Sequence, residues 1–173
     1  LSLDDFYATH KERQDLGEVV HPLLATRGVP GTHDMGLLQA TLDAALTPDR
    51  QHDIAVPNFD KATDDRRPEW DLVSGPLDIV LLEGWCLGAR PQPIDDLVDP
   101  VNMLEREEDP EGIWHNYVNG ILAREFVPLY RRIDHWVMLQ APSFERVFQW
   151  RLEQEQKLAR SSAANRGSRI MDE

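Results

Sequence analysis

The stretch LDIVLLEGW, residues 77–85, decides how the rest of the chain is read. Between Leu77 and Leu82 only Asp78 interrupts an apolar run, and Glu83, Gly84 and Trp85 close it. A strand with one face in water alternates apolar and polar residues, whereas a strand covered on both faces reads as a nearly continuous apolar run. Residues 77–83 are therefore expected to form a doubly covered strand that ends in an acid. Gly84, without a Cβ, allows the backbone there to come close to a ligand.

Working outward, residues 1–3 read as the end of a strand, and DIAVP (53–57) and HWVMLQ (135–140) as two more. Residues 33–46 place Met35, Leu38, Leu42 and Leu46 on one helical face, with Thr32 as the expected N-cap after the turn-forming Pro30-Gly31. Residues 113–133 read as a helix that Pro128 kinks or divides. Residues 143–160 read as a long amphipathic helix with Phe144, Val147, Phe148, Arg151, Leu152 and Leu158 near one stripe. The polar, Pro-rich stretch 58–76 reads as a long loop, 89–112 as a loop or short-helix region, and the tail from 161 is polar. There is no internal repeat. Strands separated by helices predict one α/β domain over 1–173 with an open, mainly parallel sheet and flanking helices. In such sheets ligands bind at the carboxyl ends of the strands.

Composition narrows the function. The net charge of −13 argues against nucleic acid or a membrane surface as partner. The one cysteine, Cys86, excludes an internal disulfide and a Cys-rich metal site. No apolar run approaches 18 residues and no basic-then-apolar leader opens the chain, so a cytoplasmic protein is expected.

The strand ends carry the chemistry. Asp4-Asp5 closes the first, Asn58-Phe59-Asp60-Lys61 the second and Glu83-Gly84-Trp85 the third, so a parallel arrangement gathers carboxylates and a lysine on one rim. LLEGW has the form of a Walker B strand, whose acid holds Mg²⁺ directly or through water. By itself the pattern is short and common, and it more often describes a strand that simply ends in a solvated acid. In SLDDFY (2–7) a strand-end carboxylate suits removal of a proton from a hydroxyl; adjacent acids also begin many turns. RGVPGTHD (27–34) sets Arg27, His33 and Asp34 around a tight turn at a helix start, and VPNFDK (56–61) with Arg66 and Arg67 follows a strand. Either could hold an anion, and either could be a solvated charge cluster.

SLDDFY, RGVPGTHD, VPNFDK, GPLDIVLLEGWCLG (75–88) and QWRLEQE (149–155) occur in the order and near the spacings of one family. Together they resemble the P-loop D-glycerate 3-kinases and their close relatives, within the phosphoribulokinase, uridine kinase and pantothenate kinase group. The resemblance spans residues 1–160 and is weaker over 89–115. It implies a P-loop kinase fold, ATP and Mg²⁺ as cofactors, and a hydroxyl of a small hydroxy acid such as glycerate as acceptor. It implies Asp4 as base and Glu83 as the Walker B acid and metal ligand. It places Tyr7, Arg27, His33, Asp34, Lys61 and Arg66 in the substrate pocket, and Arg151 and Arg160 on a lid over the ATP phosphates. The sequence departs from the family at one place: no G-x-x-x-x-G-K-[ST] occurs, and none of the ten glycines precedes a lysine. The first strand and phosphate loop are thus expected upstream of Leu1, and the domain is expected to be incomplete at both ends. Two alternatives stand beside the kinase: a non-catalytic nucleotide-binding regulatory member of the fold, and a metal-dependent phosphohydrolase.

Overall fold

The computed structural model describes residues 1–47 and 52–162, with side chains as far as Lys157. The chain divides into two compact units, Leu1–Ile133 and Asp134–Glu173.

In the first unit a 3-10 turn, Leu3–Phe6, leads into α1, His10–Val19. Thr9 starts α1 with a capping box: its hydroxyl accepts from the Glu12 amide, and the Glu12 carboxylate accepts from the Thr9 amide at 2.8 Å. A second 3-10 turn, Pro22–Ala25, packs against α1, and Gly17 makes room for it. A Cβ at Gly17 would lie 2.9 Å from the Ala25 side chain. Helix α2, Met35–Ala45, buries Met35, Leu38 and Leu42 as the periodicity predicts. Its cap is Asp34, whose carboxylate accepts from the Leu37 amide at 2.9 Å. Thr32, the expected cap, is fully buried, and its hydroxyl instead donates to the Val29 carbonyl and accepts from the Gly28 amide.

Four short strands follow: β1 (Ile54–Val56), β2 (Phe59–Asp60), β3 (Asp65–Arg66) and β4 (Asp71–Val73). They pair antiparallel, β1 with β4 and β2 with β3. The stretch expected as a loop, 58–76, therefore supplies three strands. Four helices come next: α3 (Met103–Glu108), α4 (Ile113–Ile121), α5 (Val127–Tyr130) and, in the second unit, α6 (Phe144–Ser162). The expected helix 113–133 is broken where anticipated. A π-turn, Leu122–Phe126, separates α4 from α5 just before Pro128, whose missing N–H removes one helical bond. The core packs Leu3 and Phe6 against α2 and against Leu122, Phe126 and Leu129.

The open, mainly parallel sheet is not formed by the described residues. Their parallel pairing is one bridge between Ser2 and Glu83, held by Leu3 N–H to the Glu83 carbonyl (2.8 Å) and Glu83 N–H to the Leu1 carbonyl (3.0 Å). Residues 77–82 are not a strand, and Ile79 and Leu81 are 76% and 80% exposed. Residues 135–140 of the second unit are likewise irregular, with Leu139 94% exposed. A strand is defined by bonded neighbours, and these two apolar stretches lack them along most of their length. No helix of the described residues is long and apolar enough to cross a membrane.

Candidate active site

The parallel bridge brings the chain past Glu83 and into the turn that carries Asp4, Asp5 and Tyr7. A second, antiparallel bridge joins Tyr7 to His33. Asp34 N–H donates to the Phe6 carbonyl at 2.7 Å, and Ala8 N–H to the Thr32 carbonyl at 2.9 Å. This pairing stacks the Tyr7 and His33 rings, with centroids 4.3 Å apart and planes 23° apart. Gly31 lets the intervening turn close. Its φ of +105° is left-handed, and a Cβ there would meet the Tyr117 ring at 2.6 Å.

The β2–β3 hairpin folds over the same turn. Asp5 accepts from the Phe59 amide at 3.1 Å, so the second of the two adjacent acids is a structural staple. Asp4 faces the opposite requirement. One oxygen, Oδ2, accepts from Lys61 Nζ at 2.7 Å, while Oδ1 is buried with no hydrogen-bond partner. Arg66 donates to the Tyr7 carbonyl at 2.9 Å and lies 3.3 Å from Asp34 Oδ2. Phe59 fills the space beside them, edge-on to Tyr7 and with Arg27 over its ring.

Six side-chain atoms of the described residues are buried without a partner, and four belong to this cluster: Asp4 Oδ1, both ring nitrogens of His33, and Arg66 Nε. Buried polar atoms are satisfied in folded proteins nearly always, so this concentration makes the cluster the candidate site. The electrostatics agree. Burial pushes His33 down to about 4 despite the nearby Asp4 carboxylate, so the imidazole is neutral near pH 7. Burial, then the negative Asp4, raises the Tyr7 hydroxyl; Trp85 as a donor works the other way, and the approach of the hydroxyl to the Asp4 carboxylate adds to the rise. The Cys86 thiol is pushed up to about 11, by burial first and with Asp4 adding to it.

The structure thus brings together Asp4, Tyr7, His33, Asp34, Lys61 and Arg66. Arg27 joins them through Phe59 and is ion-paired with Asp64. The three cations read from the sequence as anion ligands are each bound to a carboxylate of this chain: Lys61 to Asp4, Arg66 to Asp34 and Arg27 to Asp64. Glu83 is exposed on the strand segment beside Leu3, and its carboxylate has no ion-pair partner among the described residues. A lone solvated carboxylate suits Mg²⁺, which keeps most of its waters and takes one or two protein acids. No group of three or more acidic, His or Cys side chains among the described residues could cage a metal by itself. None of the ten glycines lies in a G-x-x-x-x-G-K-[ST] motif, so the chain carries no Walker-type cradle for the ATP phosphates. In the second unit Arg151 bonds Gln154 and Glu155 along its own helix; the Arg160 side chain lies outside the described residues.

Sequence reasoning missed Arg13 and Asp64. Arg13 sits in KERQD (11–15), which reads as a solvated helix, yet it is completely buried. Asp64 lies in a charged stretch, and its φ of +58° is a left-handed turn position that aspartate adopts more readily than most residues, a signal its charged neighbours mask.

No family model matches the chain. Its relatives are kinases. An uncharacterized kinase of Schizosaccharomyces pombe is 34% identical over 91% of this chain and 58% of its own length. A probable ATP-dependent kinase of Saccharomyces cerevisiae is 33% identical over 91% of this chain and 55% of its own. The solved D-glycerate 3-kinase of Cryptococcus neoformans superposes with a TM-score of 0.77 at 32% identity, over 98% of this chain and 62% of that one. The chain is therefore homologous to the D-glycerate 3-kinases and the ATP-dependent kinases related to them, and spans little more than half the length of these relatives.

Proposed function

We propose that these residues form the acceptor side of an ATP-dependent kinase that phosphorylates a hydroxyl of a small hydroxy acid, D-glycerate first among the candidates. The observation that carries the reading is the divided carboxylate of Asp4: Oδ2 is tied to Lys61, and Oδ1 is buried and unpartnered. An acceptor hydroxyl placed against Oδ1 gives that oxygen its missing donor, and the carboxylate takes the proton as the hydroxyl oxygen becomes a nucleophile. Lys61 keeps the carboxylate oriented. Neutral His33 offers a donor and an acceptor nitrogen to the other oxygens of the acceptor. The pairing of Arg66 with Asp34 and of Arg27 with Asp64 leaves a carboxylate-bearing acceptor two guanidinium groups to share or recruit. ATP would supply the phosphoryl group, the acceptor oxygen bonding the γ-phosphorus as the bond to the β-phosphate oxygen breaks and ADP leaves, and Glu83 would hold a Mg²⁺ ion that balances the phosphate charge.

The identity of one relative as a D-glycerate 3-kinase supports the choice of acceptor. The parallel bridge and the uncovered apolar faces of Ile79 and Leu81 support an open parallel sheet of the P-loop type in the whole polypeptide, with a further strand beside residues 77–82. The test is a coupled ATPase-type assay on the longest natural polypeptide containing these residues, with Mg²⁺-ATP and D-glycerate, uridine, pantothenate and ribulose 5-phosphate. Phosphorylation of D-glycerate well above the others is expected. Turnover of none of them overturns the reading.

A further inference from the structure

Among the described residues of the first unit, Arg13 is the one cation with no exposed surface at all. Its planar fork spends its donors on three separate segments. Nε donates to the Ala8 carbonyl at 3.1 Å, Nη1 to the Ala25 carbonyl at 3.0 Å, and Nη2 to the Asp64 carbonyl at 2.6 Å. Nη2 also lies 3.1 Å from the Asp64 carboxylate, and the guanidinium sits 5.7 Å from the centre of the Phe59 ring. Asp64 in turn pairs with Arg27 and with His10 Nδ1 at 3.2 Å. Burial would raise the Asp64 carboxyl, but the bonds from Arg27, Arg13 and His10 outweigh it and hold the group below the usual range.

The three segments are those that carry the site. Ala8 ends the turn with Asp4 and Tyr7; Ala25 precedes Arg27; Asp64 stands in the β2–β3 turn, three residues from Lys61. We infer that Arg13 is a positioning residue for phosphoryl transfer: one guanidinium, by bonding the Asp4 segment and the Lys61 turn at once, fixes Lys61 against Asp4. This rests on the reading of Asp4 as the acceptor-side base. The geometry requires arginine. A lysine reaches with one ammonium point and cannot bond three carbonyls that diverge from a plane. The β2–β3 hairpin has two residues on each strand, too few to hold the turn by its own ladder. Its other ties to the rest of the unit are the Phe59 amide on Asp5, the Asp65 carboxylate on the His10 amide, Arg66 on the Tyr7 carbonyl and Asp34, Arg27 and His10 on the Asp64 carboxylate, and Lys61 itself on Asp4. Arg27 and His10 hold the Asp64 side chain, whereas Arg13 bonds the Asp64 backbone carbonyl and, with the same guanidinium, the Ala8 carbonyl at the end of the Asp4 turn.

A merely structural Arg13 and a positioning Arg13 separate in a double-mutant cycle on the natural polypeptide. Arg13→Lys is expected to lower kcat for the acceptor by about 10- to 100-fold, the size of an ångström-scale misplacement, with KM for ATP unchanged. Lys61→Met is expected to lower kcat comparably. If Arg13 acts through Lys61, the double variant falls no more than about twofold below the worse single one; independent effects would multiply. Multiplication overturns the inference. Should Arg13→Lys fail to fold, Asp64→Asn stands in its place in the same cycle, since it weakens the Arg13 tie and keeps the side-chain size. Hydrogen exchange of the amides of residues 59–66 reads the positioning without turnover. Faster exchange there in Arg13→Lys, with α2 unchanged, supports it, and unchanged exchange overturns it. If Asp4→Asn and Lys61→Met both keep full kcat while exchange at 59–66 rises, the kinase-site reading has failed and the mechanical link stands by itself.

Discussion

The turn Leu3–Ala8 and the run Leu77–Leu82 are both read from the sequence as strand-and-rim, and the structure treats them in opposite ways. Around the first, polar groups supply the order. Asp5, Arg13, Asp34, Asp64 and Asp65 each bind a backbone or charged group of another segment, and Phe6 and Tyr7 are buried beneath them. The second has five apolar residues and is joined to its neighbour only at its Leu81–Glu83 end, with Ile79 and Leu81 in water. An acid or a guanidinium carries its partner requirement with it and can be satisfied within a short stretch of chain. An apolar run states only that it needs covering, at about 25 cal/mol per Å², and cannot supply its own cover.

The largest break in that comparison comes from the one polar group that the knit region leaves unsatisfied. Asp4→Asn keeps the size and the Lys61 contact but removes the carboxylate proposed as proton acceptor. A fall in kcat of about 10²–10⁴-fold is expected, with nucleotide affinity unchanged. Steady-state kinetics with saturating ATP and D-glycerate, beside direct nucleotide titration, checks it; full activity would sink the role. Asp5→Asn serves as the control. Its oxygen accepts the Phe59 amide, which an asparagine oxygen also does, so its effect belongs in stability rather than in the rate.

These two acids show where the sequence was sufficient. The motif order placed the rim, and Asp4, Tyr7, His33, Asp34, Lys61 and Arg66 do assemble there. Adjacent acids are indistinguishable by spacing, however, and only the family pattern preferred Asp4; the division of labour appears when the Phe59 amide is seen on Asp5. The helix at 35–45 was legible because Met35, Leu38 and Leu42 repeat at helical spacing, but its cap moved from Thr32 to Asp34, since the Tyr7–His33 bridge buries Thr32 and leaves Asp34 at the first free turn. The β2–β3 hairpin was unreadable because a charged run, KATDDRR, closes it, with Asp64 in place of glycine at the positive-φ position. Arg13 was unreadable because burial of an arginine follows from three carbonyls in distant segments, none of which leaves a mark in the sequence.

His33 sharpens the comparison next. Its imidazole is 7% exposed and titrates near 4, against about 6.5 in an unfolded chain. The unfolded state therefore binds the proton first. Stability contributed by neutral His33 is full above about 6.5 and is lost as pH falls toward 4, by about 3 kcal/mol at most. Denaturant unfolding at pH 7.5 and pH 4.5, compared with the His33→Phe variant, measures it. The variant keeps a ring against Tyr7 and is expected to lose less stability over that interval. An identical loss in both proteins assigns the acid sensitivity elsewhere.

Gly31→Ala tests the turn that presents His33. The new Cβ meets Tyr117 at 2.6 Å from a residue at φ +105°, so strain and overlap both oppose it. A cost of about 1–3 kcal/mol is expected from the midpoint of urea unfolding. Gly28→Ala separates the two causes. Its φ is +148° and nothing lies within 4 Å of a Cβ there, so only the backbone term remains and the cost is expected to be smaller.

The smallest effect is expected where the sequence looked most decisive. Leu81 lies in the middle of the apolar run, and a core leucine replaced by a small residue costs about 2–5 kcal/mol. In the 173-residue chain Leu81 is 80% exposed, so Leu81→Ser is expected to change the unfolding midpoint by no more than a surface substitution does, about 0.5 kcal/mol either way. Leu38→Ala in α2, with no exposed surface, marks the core value in the same protein. The comparison becomes sharper when Leu81→Ser is repeated in the longest natural polypeptide. If a further strand covers residues 77–82 there, the cost rises toward that of Leu38→Ala. If it stays near zero, the run is uncovered in the whole protein as well, and the parallel sheet proposed for it does not extend past the Ser2–Glu83 bridge.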